Sequence, residues 1–166
     1  MKPTCYLETS IVSYLTARPS RDLIVAAHQQ ITHEWWEFRR PAFTLYASQL
    51  VLTEAGKGDR EAAAKRLQVL DDIELLELKE EAANLAAVFI RSRAVPEKVE
   101  EDALHVALAA IYGLDYLMTW NCKHIANAEI QKRMQVICAD EGYAMPTICT
   151  PEELMGGQDD AEGCNY

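Results

Sequence analysis

The feature that most constrains the fold is the alternation of short β-prone runs with amphipathic helical segments. Five such runs are spaced along the chain, and their sequences are TCYLE, AFTLYAS, IELLEL, DYLMT and PTIC. Strands joined through helices pair in parallel, because a parallel pair needs a crossover across one face of the sheet. We therefore predict a single α/β domain with a central, mostly parallel five-stranded sheet flanked by helices on both faces.

The clearest helical pattern covers residues 21–39. Apolar residues recur there at steps of three and four and form a stripe consisting of Ile24, Ala27, Ile31, Trp35 and Phe38. Trp35 is predicted to belong to the core because it lies on this stripe. Trp36 points about 100° away and is a candidate for a partner or dimer surface. Among the helix starts, Thr9 or Ser10 is an N-cap for the first helix, and Ser48 caps the helix after the second strand.

Charge divides the chain into two parts. The 166 residues carry a net charge of −10, from 16 basic and 26 acidic residues, which argues against a non-specific nucleic-acid coat with a basic face. Beyond residue 150 there are five acidic residues and no lysine or arginine. We predict one folded domain over residues 1–150 and an acidic, frayed tail over residues 151–166.

Cysteine usage and hydropathy indicate the compartment. The five cysteines are an odd number, are scattered, and form no C-x-x-C pair, which argues against a disulfide framework and a zinc ribbon. No targeting segment and no membrane-length apolar run is present. These features predict a cytoplasmic protein without membrane association.

Four polar residues are placed where a doubly wound sheet binds ligands. Glu8 and Asn121 directly follow predicted strands, Glu54 lies in the helix after the second strand, and Asp102 opens the helix before the fourth strand. Strand carboxyl ends meet at one edge of a parallel sheet, so three carboxylates and an amide oxygen are expected to converge there. An oxygen-only site of this kind suits Mg²⁺ or Mn²⁺.

The segments YLETSIVSYL, SQLVLTEAG and EEDALHVALAAIYGLDYLMTWNCKHIAN resemble the PIN-domain family, specifically VapC-like toxins of bacterial type II toxin–antitoxin pairs. The resemblance extends over nearly the whole chain to about residue 150. It places the family's acidic positions on Glu8, Glu54, Asp102 and Asn121, as catalytic residues and metal ligands. The resemblance places Thr9 as a residue that supports the ligands or contacts the phosphate. His124, which closely follows Asn121 in the sequence, is a further candidate to contact substrate or support the ligands.

The resemblance implies an Mg²⁺- or Mn²⁺-dependent endoribonuclease that acts as a toxin. It also implies a small cognate antitoxin and a homodimer as partners, with RNA as the substrate. Five basic residues are candidates for contacts to the RNA backbone, although each is more simply solvated surface: Arg18, Arg21, Arg39, Arg40 and Lys123. His105, one turn after Asp102, is predicted to be a core histidine.

Two residues depart from the family pattern, since Glu8 and Asn121 stand where the family has aspartate. Asn121 reduces the charge of the site from −4 to −3, which weakens the hold on a second cation. The alternative function is therefore a catalytically weak or inactive PIN-fold module that binds RNA or a partner. A phosphoacceptor or nucleotide-binding domain is disfavoured, because no glycine-rich phosphate loop follows a strand.

Overall fold

The computed structural model describes residues 1–156, and in it the chain forms one five-stranded sheet. The strands are β1 Thr4–Leu7, β2 Thr44–Ser48, β3 Glu74–Leu76, β4 Tyr116–Met118 and β5 Thr147–Cys149. Their spatial order is β3-β2-β1-β4-β5, and every neighbouring pair is parallel. The predicted fold class is confirmed, with a sheet that is wholly rather than mostly parallel.

The described residues also contain seven α-helices that connect the strands. They are α1 Thr9–Thr16, α2 Leu23–Glu34, α3 Gln49–Ala55, α4 Arg60–Leu70, α5 Glu80–Arg91, α6 Glu100–Ile111 and α7 Ala128–Asp140. Helices α1, α3 and α4 pack against one another and α1 also packs against α2, whereas α5 packs against α6 and α7. Because parallel crossovers are right-handed and the strand order reverses at β1, the two groups lie on opposite faces.

The centre of the sheet is the point where the strand order reverses. β1 pairs with β2 on one side and with β4 on the other. In open α/β sheets the crevice beyond such a reversal binds ligands. Glu8 follows β1 and Thr119 follows β4 at this crevice, and the backbone N–H of Glu8 donates to the carbonyl oxygen of Met118 at 3.1 Å.

The apolar stripe predicted along residues 21–39 is only partly buried. Trp35 is completely buried, and its indole N–H donates to the carbonyl oxygen of Leu154 at 3.2 Å. Ile24 and Phe38 are 70% and 67% exposed. The face of α2 that packs inward carries the buried Thr32. Hydrophobic periodicity therefore located the apolar stripe, but it did not show whether other elements of the fold cover it.

Local capping follows the predictions in part. Ser48 caps α3 through a bond from the Val51 backbone N–H, as expected. The N-cap of α1 is Glu8 rather than Thr9 or Ser10, and its side chain accepts from the Ser10 backbone N–H. The prediction that Thr9 or Ser10 caps α1 was therefore wrong. The helix dipole favours the negative charge of the Glu8 carboxylate at this position.

Most of the acidic tail predicted over residues 151–166 lies outside the described residues, which end at Gly156. The described part contains a 3-10 turn at Glu152–Leu154. Across residues 1–156, none of the helices combines the length and the hydrophobicity that crossing a membrane requires.

Candidate active site

Glu8 is the most buried carboxylate of the crevice, with 6% of its surface exposed. Its Oε2 atom accepts bonds from the Thr119 hydroxyl at 2.7 Å, the Ser10 backbone N–H at 3.1 Å and the Ser10 hydroxyl. Within residues 1–156, no donor bonds to Oε1, and no fully buried side-chain polar atom lacks a partner. Oε1 therefore reaches solvent and is available to a cation, while Oε2 fixes the carboxylate.

The same hydroxyl groups tie the ends of β1 and β4 together. The Ser10 hydroxyl oxygen accepts from the Trp120 backbone N–H at 2.9 Å, and the Thr119 hydroxyl oxygen accepts from the Asn121 backbone N–H at 2.9 Å. The Ser10–Trp120 bond joins residues 110 positions apart in the sequence, and the Thr119–Glu8 bond joins residues 111 positions apart. They set the direction in which the chain leaves β4, and hence the position of Asn121.

Glu54 reaches the crevice from the last turn of α3. Its carboxylate accepts from the Thr9 hydroxyl and lies 3.0 Å from the Nε2 atom of His105. The Nδ1 atom of His105 lies 2.7 Å from the Tyr6 hydroxyl, which is 2.8 Å from the hydroxyl of Ser48. A continuous chain of polar contacts therefore runs from Glu54 through the core to the N-cap of α3.

Asp102 lies in the first turn of α6 and is partly buried beside Asn121. The Asn121 side chain lies beside the Asp102 carboxylate and favours its charged form, and its Oδ1 atom accepts from the His124 backbone N–H at 3.1 Å. With its oxygen bonded in this way, the amide presents its nitrogen to Asp102. An aspartate at residue 121 has no side-chain N–H for this contact.

The pKa values of Glu54, His105 and Asp102 shift in different directions from their ordinary values. Burial favours the neutral form of Glu54, but the hydrogen bond and charge of His105 outweigh it and lower the pKa of Glu54. Burial lowers the pKa of His105, whereas the bond to Glu54 and the charges of Glu8, Glu54 and Asp102 raise it above its ordinary value. Burial and the charge of Glu8 raise the pKa of Asp102 against the opposing bond from Asn121.

The donor atoms fit a small divalent cation. Ligand atoms of Glu8, Glu54 and His105 all lie within 4.8 Å of one another. Glu8 retains a free oxygen, whereas both Glu54 oxygens already contact His105. When ionised, the three carboxylates of Glu8, Glu54 and Asp102 carry a charge of −3, which attracts a dication.

The structure therefore brings Glu8, Glu54 and Thr9 into contact range at one point of the crevice. Asp102 and Asn121 lie beside each other, near enough to Glu8 for its charge to act on Asp102. The His124 imidazole is close enough to influence Asp102 as well. All six predicted site residues thus lie in one neighbourhood of the crevice.

Sequence reasoning assigned His105 to the core, and it is 1% exposed. The same residue also pairs with Glu54, a contact the sequence did not reveal. One signal was present: His105 follows Asp102 by three positions, which places both on one face of α6. Ser10 and Thr119, which hold Glu8, were not predicted as site residues.

Comparison with solved structures finds several similar chains, and two of them are as follows. One is in the crystal structure of VapBC2 from Rickettsia felis bound to a DNA fragment from their promoter, with a TM-score of 0.57 and 16% identity over 89% of this chain and 98% of that one. The other is VapC20 of Mycobacterium tuberculosis, a toxin that cleaves the sarcin-ricin loop, with a TM-score of 0.53 and 17% identity over 69% and 87% of the two chains.

The chain has the fold of VapC toxins. The predicted resemblance to VapC-like PIN domains is confirmed at the level of the fold. By sequence, neither a family model nor a curated protein matches the chain. The VapC-like fold puts the crevice at the ends of β1 and β4, where the acidic residues lie.

Proposed function

We propose that this protein is a metal-dependent endoribonuclease that acts as the toxin of a toxin–antitoxin pair. The observation that carries the proposal is the convergence of three carboxylates at the topological switch point. Ligand atoms of Glu8 and Glu54 lie within 4.8 Å of each other, and the charge of Glu8 acts on Asp102. The VapC-like fold supports the same reaction class by analogy.

In this proposal Glu8 and Asp102 hold the cation directly, since Glu8 has an uncommitted oxygen. Glu54, held by His105 and Thr9, orients a water molecule. Asn121 positions Asp102 through its amide nitrogen, and Thr9 and His124 lie where the scissile phosphate would approach. A bound Mg²⁺ or Mn²⁺ ion supplies charge stabilisation for the phosphoryl oxygens and acidifies water. A site with three carboxylates rather than four holds a second ion weakly.

The test is cleavage of single-stranded RNA with Mn²⁺ or Mg²⁺ by the wild type and by two variants. We expect wild-type cleavage that EDTA abolishes and that Asp102→Asn reduces by at least about 100-fold, in the range typical for loss of a metal ligand or its support. Asp115→Asn is the matched control, because Asp115 lies at the start of β4, at the other edge of the sheet. Equal activity of Asp102→Asn and the control would refute the assignment of Asp102.

The second candidate function is a binding module that cleaves poorly. The observation that favours it is Asn121, whose oxygen is bonded to the His124 backbone and whose amide adds no charge for a cation. If the wild type is inert at every metal concentration while Asn121→Asp cleaves RNA, the binding-module function is correct.

A small antitoxin is the proposed partner, and a homodimer is the proposed assembly. The exposed apolar residues of α2, Leu23 and Ile24, provide surface for an interaction. Size-exclusion chromatography with light scattering distinguishes a dimer from a monomer. Co-expression with the product of an adjacent small gene tests for the antitoxin, and failure to co-purify a stable complex would count against it.

A further inference from the structure

The indole of Trp120 is anchored beside the crevice, directly after Thr119. Trp120 is 8% exposed, and its indole N–H donates to the hydroxyl oxygen of Thr32 at 2.8 Å. The Thr32 hydroxyl in turn donates to the carbonyl oxygen of His28 at 2.6 Å. The buried hydroxyl on the inward face of α2, which periodicity did not predict, is thus the acceptor for this indole.

Two further rings restrain the same indole. The His28 imidazole is stacked on it, with ring centroids 4.0 Å apart and planes 12° from parallel. Tyr14 meets both rings edge-on, with centroid distances of 6.2 Å. Tyr14 lies one turn after Ser10 on α1, whereas His28 and Thr32 lie on α2. The side chain of Trp120 therefore joins α1 and α2 to the segment that leaves β4.

The backbone next to this indole is held by side chains. The N–H of Thr119 still bonds the carbonyl oxygen of Cys149 in β5 at 2.9 Å. The next two amides, those of Trp120 and Asn121, donate instead to the hydroxyl oxygens of Ser10 and Thr119, each at 2.9 Å. Within residues 1–156 neither of these two amides has a backbone acceptor, so the indole is the main anchor of this segment.

The two amides determine what the two hydroxyl groups do. Each hydroxyl has one proton, and an N–H that bonds its oxygen leaves that proton for another acceptor. For both Ser10 and Thr119 the acceptor is Oε2 of Glu8. Donation to the oxygen also strengthens the bond that the hydroxyl makes. Oε2 is therefore occupied, and Oε1 of Glu8 is the oxygen left for a cation.

We propose that Trp120 is a positioning residue for Glu8, which acts through the amides of residues 120 and 121 and the hydroxyls of Ser10 and Thr119. The proposal rests on the proposed function for the reaction that Glu8 serves. The positioning itself is a property of the metal-free chain, so it can be measured without a cation or RNA.

Trp35 provides a matched comparison for a tryptophan that only supports the fold. It is completely buried, and its indole N–H donates to the carbonyl oxygen of Leu154 at 3.2 Å. Its ring packs against Phe43, just before β2, with centroids 5.5 Å apart. This places Trp35 towards the amino ends of the strands, opposite the crevice.

The test is amide hydrogen exchange by NMR in EDTA. Trp120→Phe removes the indole N–H, and Thr32→Val removes its acceptor while keeping the shape of the side chain. In both variants we expect the amides of residues 120 and 121 to exchange about tenfold faster, relative to the amide of Leu108 in the middle of α6. Thr32→Ser retains the hydroxyl and should retain the protection. Trp35→Phe should leave the ratio unchanged.

A double-mutant cycle identifies the bond that is responsible. Trp120→Phe/Thr32→Val should exchange no faster at residues 120 and 121 than Trp120→Phe alone, because both changes remove the same bond. If these two amides accelerate only in step with Leu108, the variants have lost global stability, Trp120 is a core residue, and the proposal is overturned. Unchanged exchange in both single variants would overturn it too.

Metal binding and cleavage distinguish this inference from the proposed function. We expect Trp120→Phe and Thr32→Val to raise the Kd for Mn²⁺ and to lower kcat, each about tenfold, with KM for RNA changed by less than about twofold. Trp35→Phe should retain the wild-type values.

Two outcomes separate the two claims. A wild type that neither binds Mn²⁺ nor cleaves RNA refutes the ribonuclease, and faster exchange at residues 120 and 121 in the variants then still supports the positioning role. If the wild type binds Mn²⁺ and cleaves RNA but both variants keep its Kd and kcat, the positioning role is overturned and the ribonuclease stands.

Discussion

The Nε2 atom of His105 lies 3.0 Å from Oε1 of Glu54, and its Nδ1 atom lies 2.7 Å from the hydroxyl of Tyr6. This buried imidazole bonds the Glu54 carboxylate in the crevice, and the contact raises the pKa of His105 and lowers the pKa of Glu54. It comes from the same helix face as Asp102, so α6 carries both a candidate metal ligand and the counter-charge of another.

Replacing His105 tests this ion pair directly. His105→Gln should lower the free energy of unfolding by about 2 kcal/mol, because the half-buried Glu54 carboxylate loses its charged partner. Urea denaturation of the metal-free protein measures the change. In a double-mutant cycle with Glu54→Gln, the combined loss should be smaller than the sum. His33→Gln, at an exposed position of α2, is the control and should change stability by less than about 0.5 kcal/mol.

The pair also predicts how stability depends on pH in the metal-free protein. The pKa of His105 is raised above 6.5, so its contribution is complete below pH 6.5 and is lost as pH rises through the folded-state pKa. The pKa of Glu54 is lowered from 4.5, so its contribution is present above 4.5 and is lost as pH falls through the folded-state pKa. The His105–Glu54 pair is thus expected to contribute its full stabilisation between pH 4.5 and pH 6.5.

The alkaline side is the better place to measure this effect, because the raised pKa of Asp102 acts in the opposite sense at acid pH. Wild-type stability should decline from pH 6.5 to pH 8.5, and His105→Gln should remove that decline. Urea denaturation at each pH provides the comparison. Identical slopes for wild type and variant would show that His105 does not titrate as part of the pair.

Asn121→Asp should strengthen metal binding and lower the stability of the metal-free protein. A fourth carboxylate beside Asp102 adds attraction for a dication worth a few kcal/mol at an effective dielectric near 20. We expect the Kd for Mn²⁺ by calorimetry to fall at least about tenfold, and the melting temperature in EDTA to fall. Asn127→Asp, at the N-cap of α7, adds the same charge at a helix cap as a control. An unchanged Kd would indicate that residue 121 is remote from the ion.

At the amino ends of the strands, opposite the crevice, a contact between Asp115 and Thr4 is predicted to contribute to stability but not to activity. Oδ2 of Asp115 accepts from the Thr4 backbone N–H at 2.7 Å and from its hydroxyl at 2.8 Å, which joins the start of β1 to the start of β4. These bonds lower the pKa of Asp115. Asp115→Ala should therefore cost about 1 kcal/mol at neutral pH, a small value because the pair is exposed.

The check is urea denaturation at pH 7 and at pH 3. The lowered pKa means that the contribution of Asp115 is present above its unfolded value of 3.8 and disappears as pH falls through the folded value. The difference between wild type and Asp115→Ala should narrow at pH 3. Glu77→Ala, an exposed carboxylate in the loop after β3, should show no such difference, and RNA cleavage should be unchanged in both.

Sequence patterns predicted the order of strands and helices correctly, because hydrophobic periodicity is a local property of the chain. The same patterns placed Glu8 and Asn121 just beyond strand ends, where a parallel sheet forms its crevice. They did not predict that the stripe on α2 would be largely exposed, since an apolar face carries no information about which other element covers it.

Sequence alone determined the α/β architecture, the parallel pairing of the strands, and the edge of the sheet at which the acidic residues lie. Only the tertiary structure decided how those residues are held. Thr9 and Glu54 are 45 positions apart, His105 and Glu54 are 51, and Thr119 and Glu8 are 111. A pattern within one helix or strand cannot specify such contacts, because they depend on how separate elements pack against each other.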